Sequence, residues 1–377
     1  MPVIHVILRA GYIPSMSLAD RKFPPSFRRI NLVLCFSLFL LLVLGCGVPS
    51  GPVPSTATLT ASLTPPPTVT QTPTPTLPPM PTELPVLCGG PRVMFILLVG
   101  SDARRDSYAI GLADSVRLVR VDFVDASMQI LTFPRDLYVE IPEIEDHNGI
   151  THGKLNQAFL YGNPGYNYYD GPGEGSGLLA LTLEHNFGAS VDHYVAVNLQ
   201  TFVRIVDTLD GIDIDLPFVV DGRVRGSRDT SRYFPAGEQH LDGYRTMLLA
   251  RMRPQGDLPR TEIQNLILKS LASKLVSPVA VFKFPQLIGS FQDSVQTDLD
   301  PTSIGQLLCL RRSMDIQQID FLSFPDNLFE NERVRDPVLG NTSILAADFE
   351  VLNEYVQRFK DGLWREPEEH RRDEVTP

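Results

Sequence analysis

The stretch LLVGSDARRDSYAIGLADSV, residues 97–116, decides how this chain is read. It opens on the end of one apolar run, VMFILLVG (93–100), and closes on the start of another, SVRLVRV (115–121). Both runs have the length and β-branched content of buried strands. Between them lie Asp102, Arg104, Arg105, Asp106 and Asp114. A charged connection of this kind is either ordinary solvated surface or a place built to hold a metal ion and a phosphate. The rest of the sequence has to choose.

Outward from this stretch, apolar runs alternate with helical periods. MQILTF (128–133) reads as a third strand and LYVEI (137–141) as a short fourth, followed by helices over KLNQAFLYG (154–162) and LLALTLEHNFG (178–188). HYVAVN (193–198) reads as a strand, LQTFVRIVDTLDG (199–211) as a helix closed by glycine, and IDIDLP (212–217) as an alternating strand. Helices are predicted over YRTMLLARM (244–252) and TEIQNLILKSLASKLVS (261–277). Residues 301–364 add further helix around one strand, QIDFLSF (318–324). Interleaved strands and helices imply an α/β sandwich with a mixed central sheet.

The 377 residues, 43% of them hydrophobic, can bury a sizeable core. The net charge of −11 argues against adhesion to nucleic acid or anionic membranes through overall charge, so any anion site must be local. Residues 1–29 form a basic N-terminal region in which Arg21, Lys22, Arg28 and Arg29 precede the apolar run INLVLCFSLFLLLVLG (30–45), which ends at Cys46. This reads as an export signal. The run is short against the roughly 20 residues of a membrane span, and VLGCG is laid out like a lipoprotein cleavage site, so lipidation of Cys46 is expected; the alternative is an uncleaved anchor helix. Residues 47–87, rich in Pro, Thr and Ser, form a linker without a core, extended at roughly 3 Å per residue where polyproline-like. The folded part, from residue 88, is thus expected outside the cytoplasm, anchored to the cell membrane. There Cys88 and Cys309 invite a disulfide, against the alternative of two free thiols. Residues 365–377 form a charged tail.

Several patterns point away from other chemistries. GPGEGSG (171–177) resembles a phosphate loop but has no strand before it and no GK[ST] after it, so it reads as a plain surface loop. His147, His152, His185, His193 and His240 fall at no zinc-ligand spacing, and there is no G-x-S-x-G elbow.

The arginines, by contrast, sort themselves. Arg104 and Arg105 follow the first strand, Arg135 follows the third, Arg251 and Arg253 end a helix and Arg260 opens the next. The ends of elements in an α/β sheet gather into a crevice, and several guanidinium forks converging there would match a pyrophosphate. Asp102 and Asp114 near the same crevice could hold magnesium, which takes one or two carboxylates and completes its shell with water and phosphate.

The motifs GSDAR, LADS, FPRD, GKLNQAF, LDGIDIDLP, FPAGEQHLDGYRTMLLARMR and GDLPRTEIQN, in this order, resemble the LytR-CpsA-Psr (LCP) domain over roughly residues 93–276. The resemblance implies a three-layer α/β/α sandwich with an apolar interior that admits a polyprenyl chain. It also implies a cell-envelope phosphotransferase, moving a glycopolymer from a polyprenyl-pyrophosphate carrier to a sugar hydroxyl of peptidoglycan or another wall polymer. Carried over by position, it makes Asp102 and Asp114 magnesium ligands and Arg104, Arg135, Arg251, Arg253, Arg260 and Gln264 the pyrophosphate clamp. Asp102, Arg104, Arg135 and Asp136 then fall in the catalytic group, and Lys154 also matches. The chain departs at Ala113 and Ile263, where arginines are usual. Residues 88–276 are read as the catalytic domain and 277–364 as an extension packed on its core. Two other functions fit the same residues: a module that binds polyprenyl pyrophosphate without transfer, and a polyprenyl pyrophosphatase.

Overall fold

Three apolar runs that follow one another through short connections form a meander: β1 (Val93–Ser101), β2 (Ala113–Asp122) and β3 (Ser127–Phe133) pair antiparallel. The computed structural model describes residues 84–104, 108–223, 229–252, 260–275, 294–315 and 319–364. The apolar run expected to be an export signal, Cys46, nearly all of the linker, Arg253 and the charged tail lie outside these residues.

After the meander, β4 (Tyr138–Glu140) and β5 (His152–Lys154) pair with each other and lead into α1 (Leu155–Gly162) and α2 (Glu174–Phe187). β6 (His193–Asn198) runs parallel to β1, and its last residue caps α3 (Leu199–Thr208), the Asn198 side chain accepting from Thr201 N at 2.8 Å. A satellite region follows. There β7 (Ile212–Leu216), β8 (Val220–Asp221), β9 (Tyr233–Phe234) and β10 (Gly237–Leu241) make two small sheets, β7 with β10 and β8 with β9. α4 (Gly243–Ala250) and α5 (Arg260–Leu275) pack against them. The C-terminal part contributes β11 (Val295–Thr297), α6 (Pro301–Leu310), β12 (Asp320–Ser323), the hairpin β13 (Phe329–Asp336) and β14 (Gly340–Ala347), and α7 (Phe349–Lys360).

The central sheet has six strands in the order β11-β6-β1-β2-β3-β12, with β6 parallel to β1 and β12 parallel to β3. It is mixed, as expected, and helices cover both faces. On one face Leu97, Leu118 and Leu131 meet Phe159 of α1, Leu183 of α2 and Phe359 of α7. On the other, Ile96, Val121 and Ile130 meet Leu310 of α6. Burial from both sides is why the central strands read as continuous apolar runs rather than alternating ones.

Besides the short strands β5 and β8 to β11, which the sequence reading does not place, the structure differs from it in two larger ways. GPGEGSG is not a plain surface loop: α2 begins inside it, at Glu174, and Gly175 and Ser176 are buried. A Cβ on Gly175 would lie 2.3 Å from the Phe159 carbonyl oxygen, and one on Gly162 would lie 2.7 Å from that of Glu174, so these glycines let α1 and α2 touch backbone to backbone. The other difference is that residues 301–364 hold three strands, not one. The charged sequence FENERVRD of β13 hides its pairing with β14. Cys88 and Cys309 are joined by a disulfide with Cα atoms 5.8 Å apart, tying the chain before β1 to α6.

Candidate active site

The pairing of β1 with β2 contains one irregularity, and it falls on an aspartate. Gly100 faces Ser115 and Ser101 faces Ala113, so Asp114 is the extra residue of a β-bulge, with no partner on β1. Bulges re-aim a side chain, and they occur next to functional sites more often than chance allows. Asp102, just past the end of β1, closes the same end of the sheet: its backbone N donates to Leu112 O at 3.2 Å and its Oδ1 accepts from Leu112 N at 2.7 Å. Tyr108 fixes the connection from the other side. Its hydroxyl accepts from Asn198 N at 2.9 Å and lies 3.0 Å from Ala196 O and 2.8 Å from Ser294 O.

Arg135 follows β3 and forms an ion pair with Asp114 through Nη1. Its Nε pairs with Asp136 at 3.2 Å, and Asp136 pairs with Lys154 Nζ at 3.1 Å. Burial works to lower the pKa of Arg135, but the adjacent Asp114 and Asp136 carboxylates outweigh it and the net shift is upward. The backbone here is held twice: Asn156 N, in the first turn of α1, donates to Arg135 O at 3.1 Å, and Leu345 N of β14 donates to Asp136 O at 2.9 Å. The unforeseen hairpin therefore braces the site.

Two pockets meet at these residues. The first, a cavity of about 230 Å³, lies between the sheet and α3, α4 and α5 and is walled by apolar groups such as Leu98, Val195, Phe202, Ile267 and Leu271. The second, a cavity of about 420 Å³, opens beside Arg135 and Asp136 and is lined by polar groups including Thr132, Thr261, Ser323, Asp326 and Asn331. Asp114, Ser115, Arg260 and Gln264 line both.

An apolar chamber and a polar one joined across charged residues is a specific arrangement, and it coincides with a specific sequence match. The LytR_cpsA_psr family model matches residues 91–359. The chain belongs to this family.

The family match runs beyond residue 276 and takes in β12, the β13–β14 hairpin and α7. Among relatives, the Bacillus cereus protein named polyisoprenyl-teichoic acid–peptidoglycan teichoic acid transferase TagU is 28% identical over 232 residues, 59% of this chain and 67% of that one. The Bacillus subtilis transferase of the same kind, TagV, is 28% identical over 234 residues, 60% of this chain and 55% of its own. The crystal structure of B. subtilis TagV aligns over 73% of this chain and 99% of that one, with a TM-score of 0.53 and 25% identity. The Streptococcus agalactiae protein gbs0355 aligns over 72% of this chain and 88% of its own with a TM-score of 0.57, and at 19% identity speaks to the fold alone.

Of the residues singled out by sequence in this LytR_cpsA_psr chain, Asp114, Arg135, Asp136, Arg260 and Gln264 line one pocket, and Arg251 joins Asp114, Arg260 and Gln264 in the other. Asp102 stands beside them at the end of the sheet and lines neither. Arg104 is exposed and also lines neither pocket. Ala113 and Ile263 are fully buried. One wall residue of the apolar pocket, Arg117, sits inside the apolar run SVRLVRV, where nothing in the sequence marks it as part of a site. It is 2% exposed, and desolvation brings its pKa down to about 10.

Proposed function

We propose that this chain transfers a glycopolymer from a polyprenyl-pyrophosphate carrier to a sugar hydroxyl of peptidoglycan or another wall polymer, outside the cytoplasmic membrane. That it is an enzyme, a transferase, follows from its family and from relatives named as teichoic acid transferases. The observation that carries the fuller reading is the meeting of an apolar and a polar pocket at Asp114, Ser115, Arg260 and Gln264. Such a junction suits a substrate that is itself half lipid and half sugar, with its pyrophosphate between the two.

In this reading the first isoprene units occupy the apolar pocket, and Arg135, Arg251 and Arg260 hold the pyrophosphate oxygens by charge-assisted hydrogen bonds. The acceptor hydroxyl enters from the polar side and attacks the sugar-linked phosphorus. A new O–P bond forms, the bond to the bridging oxygen breaks, and polyprenyl phosphate leaves with that oxygen. The hydroxyl proton passes to a carboxylate of the site, Asp102 or Asp136. Positioning and fixed charge supply most of the acceleration.

Asp102 and Asp114 suit a magnesium ion. Both offer hard oxygen ligands, each commits one carboxylate oxygen to a protein donor, and the second oxygen of each has no partner among the described residues. Magnesium takes one or two carboxylates and completes its shell with water and phosphate, so two aspartates suffice. When bound, magnesium supplies neutralisation of the charge gathering on the leaving phosphate. Arg104 and Arg253 belong to the proposed clamp by family position alone. Lipidation at Cys46 and the linker would set the domain near the membrane that holds the donor. Among the described residues no helix is long and apolar enough to cross a membrane.

The test uses full-length protein, a polyprenyl-pyrophosphate-linked oligosaccharide and a peptidoglycan acceptor, with and without magnesium. A glycan–acceptor phosphodiester, lost in Asp114→Ala, supports transfer. Release of glycan phosphate to water regardless of acceptor makes the protein a pyrophosphatase. Tight donor binding with neither product makes it a binding module.

A further inference from the structure

Five residues stand in register across the sheet: Val195, Leu98, Arg117, Thr132 and Ser323. The row changes character along its length. Val195 and Leu98 line the apolar pocket, whereas Thr132 and Ser323 line the polar one. Arg117 stands in the middle, at the seam.

Its immediate partners are all neutral. Nε donates to Ser115 Oγ at 3.3 Å, Nη1 to Asn265 Oδ1 at 2.6 Å, and Nη2 to Gln264 Oε1 at 3.5 Å, the outer limit of a hydrogen bond. Among the described residues no carboxylate forms an ion pair with it, in contrast to Arg120 three positions on, which pairs with Asp122 at 2.9 Å. A buried cation without a counter-charge is expensive to maintain. Linking the sheet to α5 does not require one, since an amide or a thioether would span the gap at lower cost. The neighbour in register points the same way: Thr132 Oγ1 is buried and has no hydrogen-bond partner among the described residues. A weakly engaged charged donor and an unpartnered neutral one thus flank the line where the pockets join.

We propose that Arg117 binds the lipid-proximal phosphate of the carrier, with the weakly engaged Nη2 edge facing the phosphate oxygens and the Thr132 hydroxyl beside it. This rests on the reading of the site given above and adds to it a phosphate contact inside the apolar chamber. Arg117 stays charged at neutral pH, because even its lowered pKa of about 10 leaves it protonated. The buried arginine is then an unfavourable feature of the empty protein that the substrate relieves.

The experiment is calorimetric titration of full-length protein with two probes, inorganic pyrophosphate and farnesyl diphosphate, alongside thermal unfolding. Replacing a buried charge with an apolar residue of similar volume is often neutral or stabilising. Arg117→Met should therefore hold or raise the Tm while weakening both probes at least tenfold, with Arg117→Lys in between. Loss of both probes is the telling result, since a change confined to pocket shape would affect only the farnesyl group. Unchanged affinity in Arg117→Met, or loss of farnesyl diphosphate alone, overturns the proposal. If both Arg117→Met and Arg117→Gln fail to fold, the arginine is structural and the proposal is overturned as well. Wild-type binding that is lost in Arg135→Ala but kept in Arg117→Met removes Arg117 and leaves the proposed function standing. A wild-type protein that binds neither probe removes both.

Discussion

Arg135, at the end of β3, holds Asp114, the residue that the β2 bulge leaves without a partner on β1. The pair joins the metal side of the proposed site to its phosphate side, so neither member works alone. Asp114→Asn and Arg135→Gln should each lower kcat/KM for transfer by about 10²- to 10³-fold, the size seen when one preorganised electrostatic contact is removed. The double variant should lose much less than the product of the two, and a double-mutant cycle on transfer rates checks this.

Tyr108 anchors the connection that carries Asp102. Tyr108→Phe removes the hydroxyl that accepts from the buried Asn198 N–H and lies beside two carbonyl oxygens. The expected loss is about 1–3 kcal/mol, read as a lower urea midpoint with an unchanged slope.

The contact between α1 and α2 admits no side chain at two positions. Gly175→Ala would drive a methyl group into the Phe159 carbonyl and Gly162→Ala one into that of Glu174. Each should cost about 1–3 kcal/mol. Thermal unfolding should show Tm falling by about 2–4 °C per kcal/mol, whereas an alanine at Gly305, where nothing lies within 4 Å, should not lower it by packing.

Asp122 gives the fold an acid limit. Burial pushes its carboxyl up, but the N–H groups of Val124 and Asp125 and the Arg120 guanidinium together bring it below the ordinary aspartate value. Its stabilising contribution is therefore complete above the unfolded value of about 3.9 and fades as the pH drops through the lower folded value. Urea midpoints measured across the acid range should fall more steeply in wild type than in Asp122→Asn.

Reducing the Cys88–Cys309 bond opens a closure of sequence separation 221. On the chain-entropy estimate this costs about 5 kcal/mol. Cys88→Ser should lower Tm accordingly while leaving the pocket residues untouched, and peptide mapping should recover the linked pair from the wild type.

The sheet was legible because its strands are apolar on both faces, and the site because arginines and aspartates collect at strand ends. Four features escaped for physical reasons. β13 is written in charged residues, so its alternation does not mark a buried face. The start of α2 is written in glycines, which serve close packing but carry low helix propensity. Arg117 is a cation in an apolar strand, and only the register across β1, β2 and β3 sets it between Leu98, which lines one chamber, and Thr132, which lines the other. The bulge at Asp114 had no signal of its own, since an extra residue in a pairing is a relation between two strands.

The strand order also dictates when the molecule can close. β3 gains its outer neighbour, β12, from residues 320–323, more than 180 positions later in the chain. Until that segment arrives, β3 presents an open edge able to recruit strands from other chains. Nascent chains cut short after α5 should therefore aggregate rather than act as a smaller enzyme, and nearly the whole polypeptide must be made before any of it becomes safe from self-association.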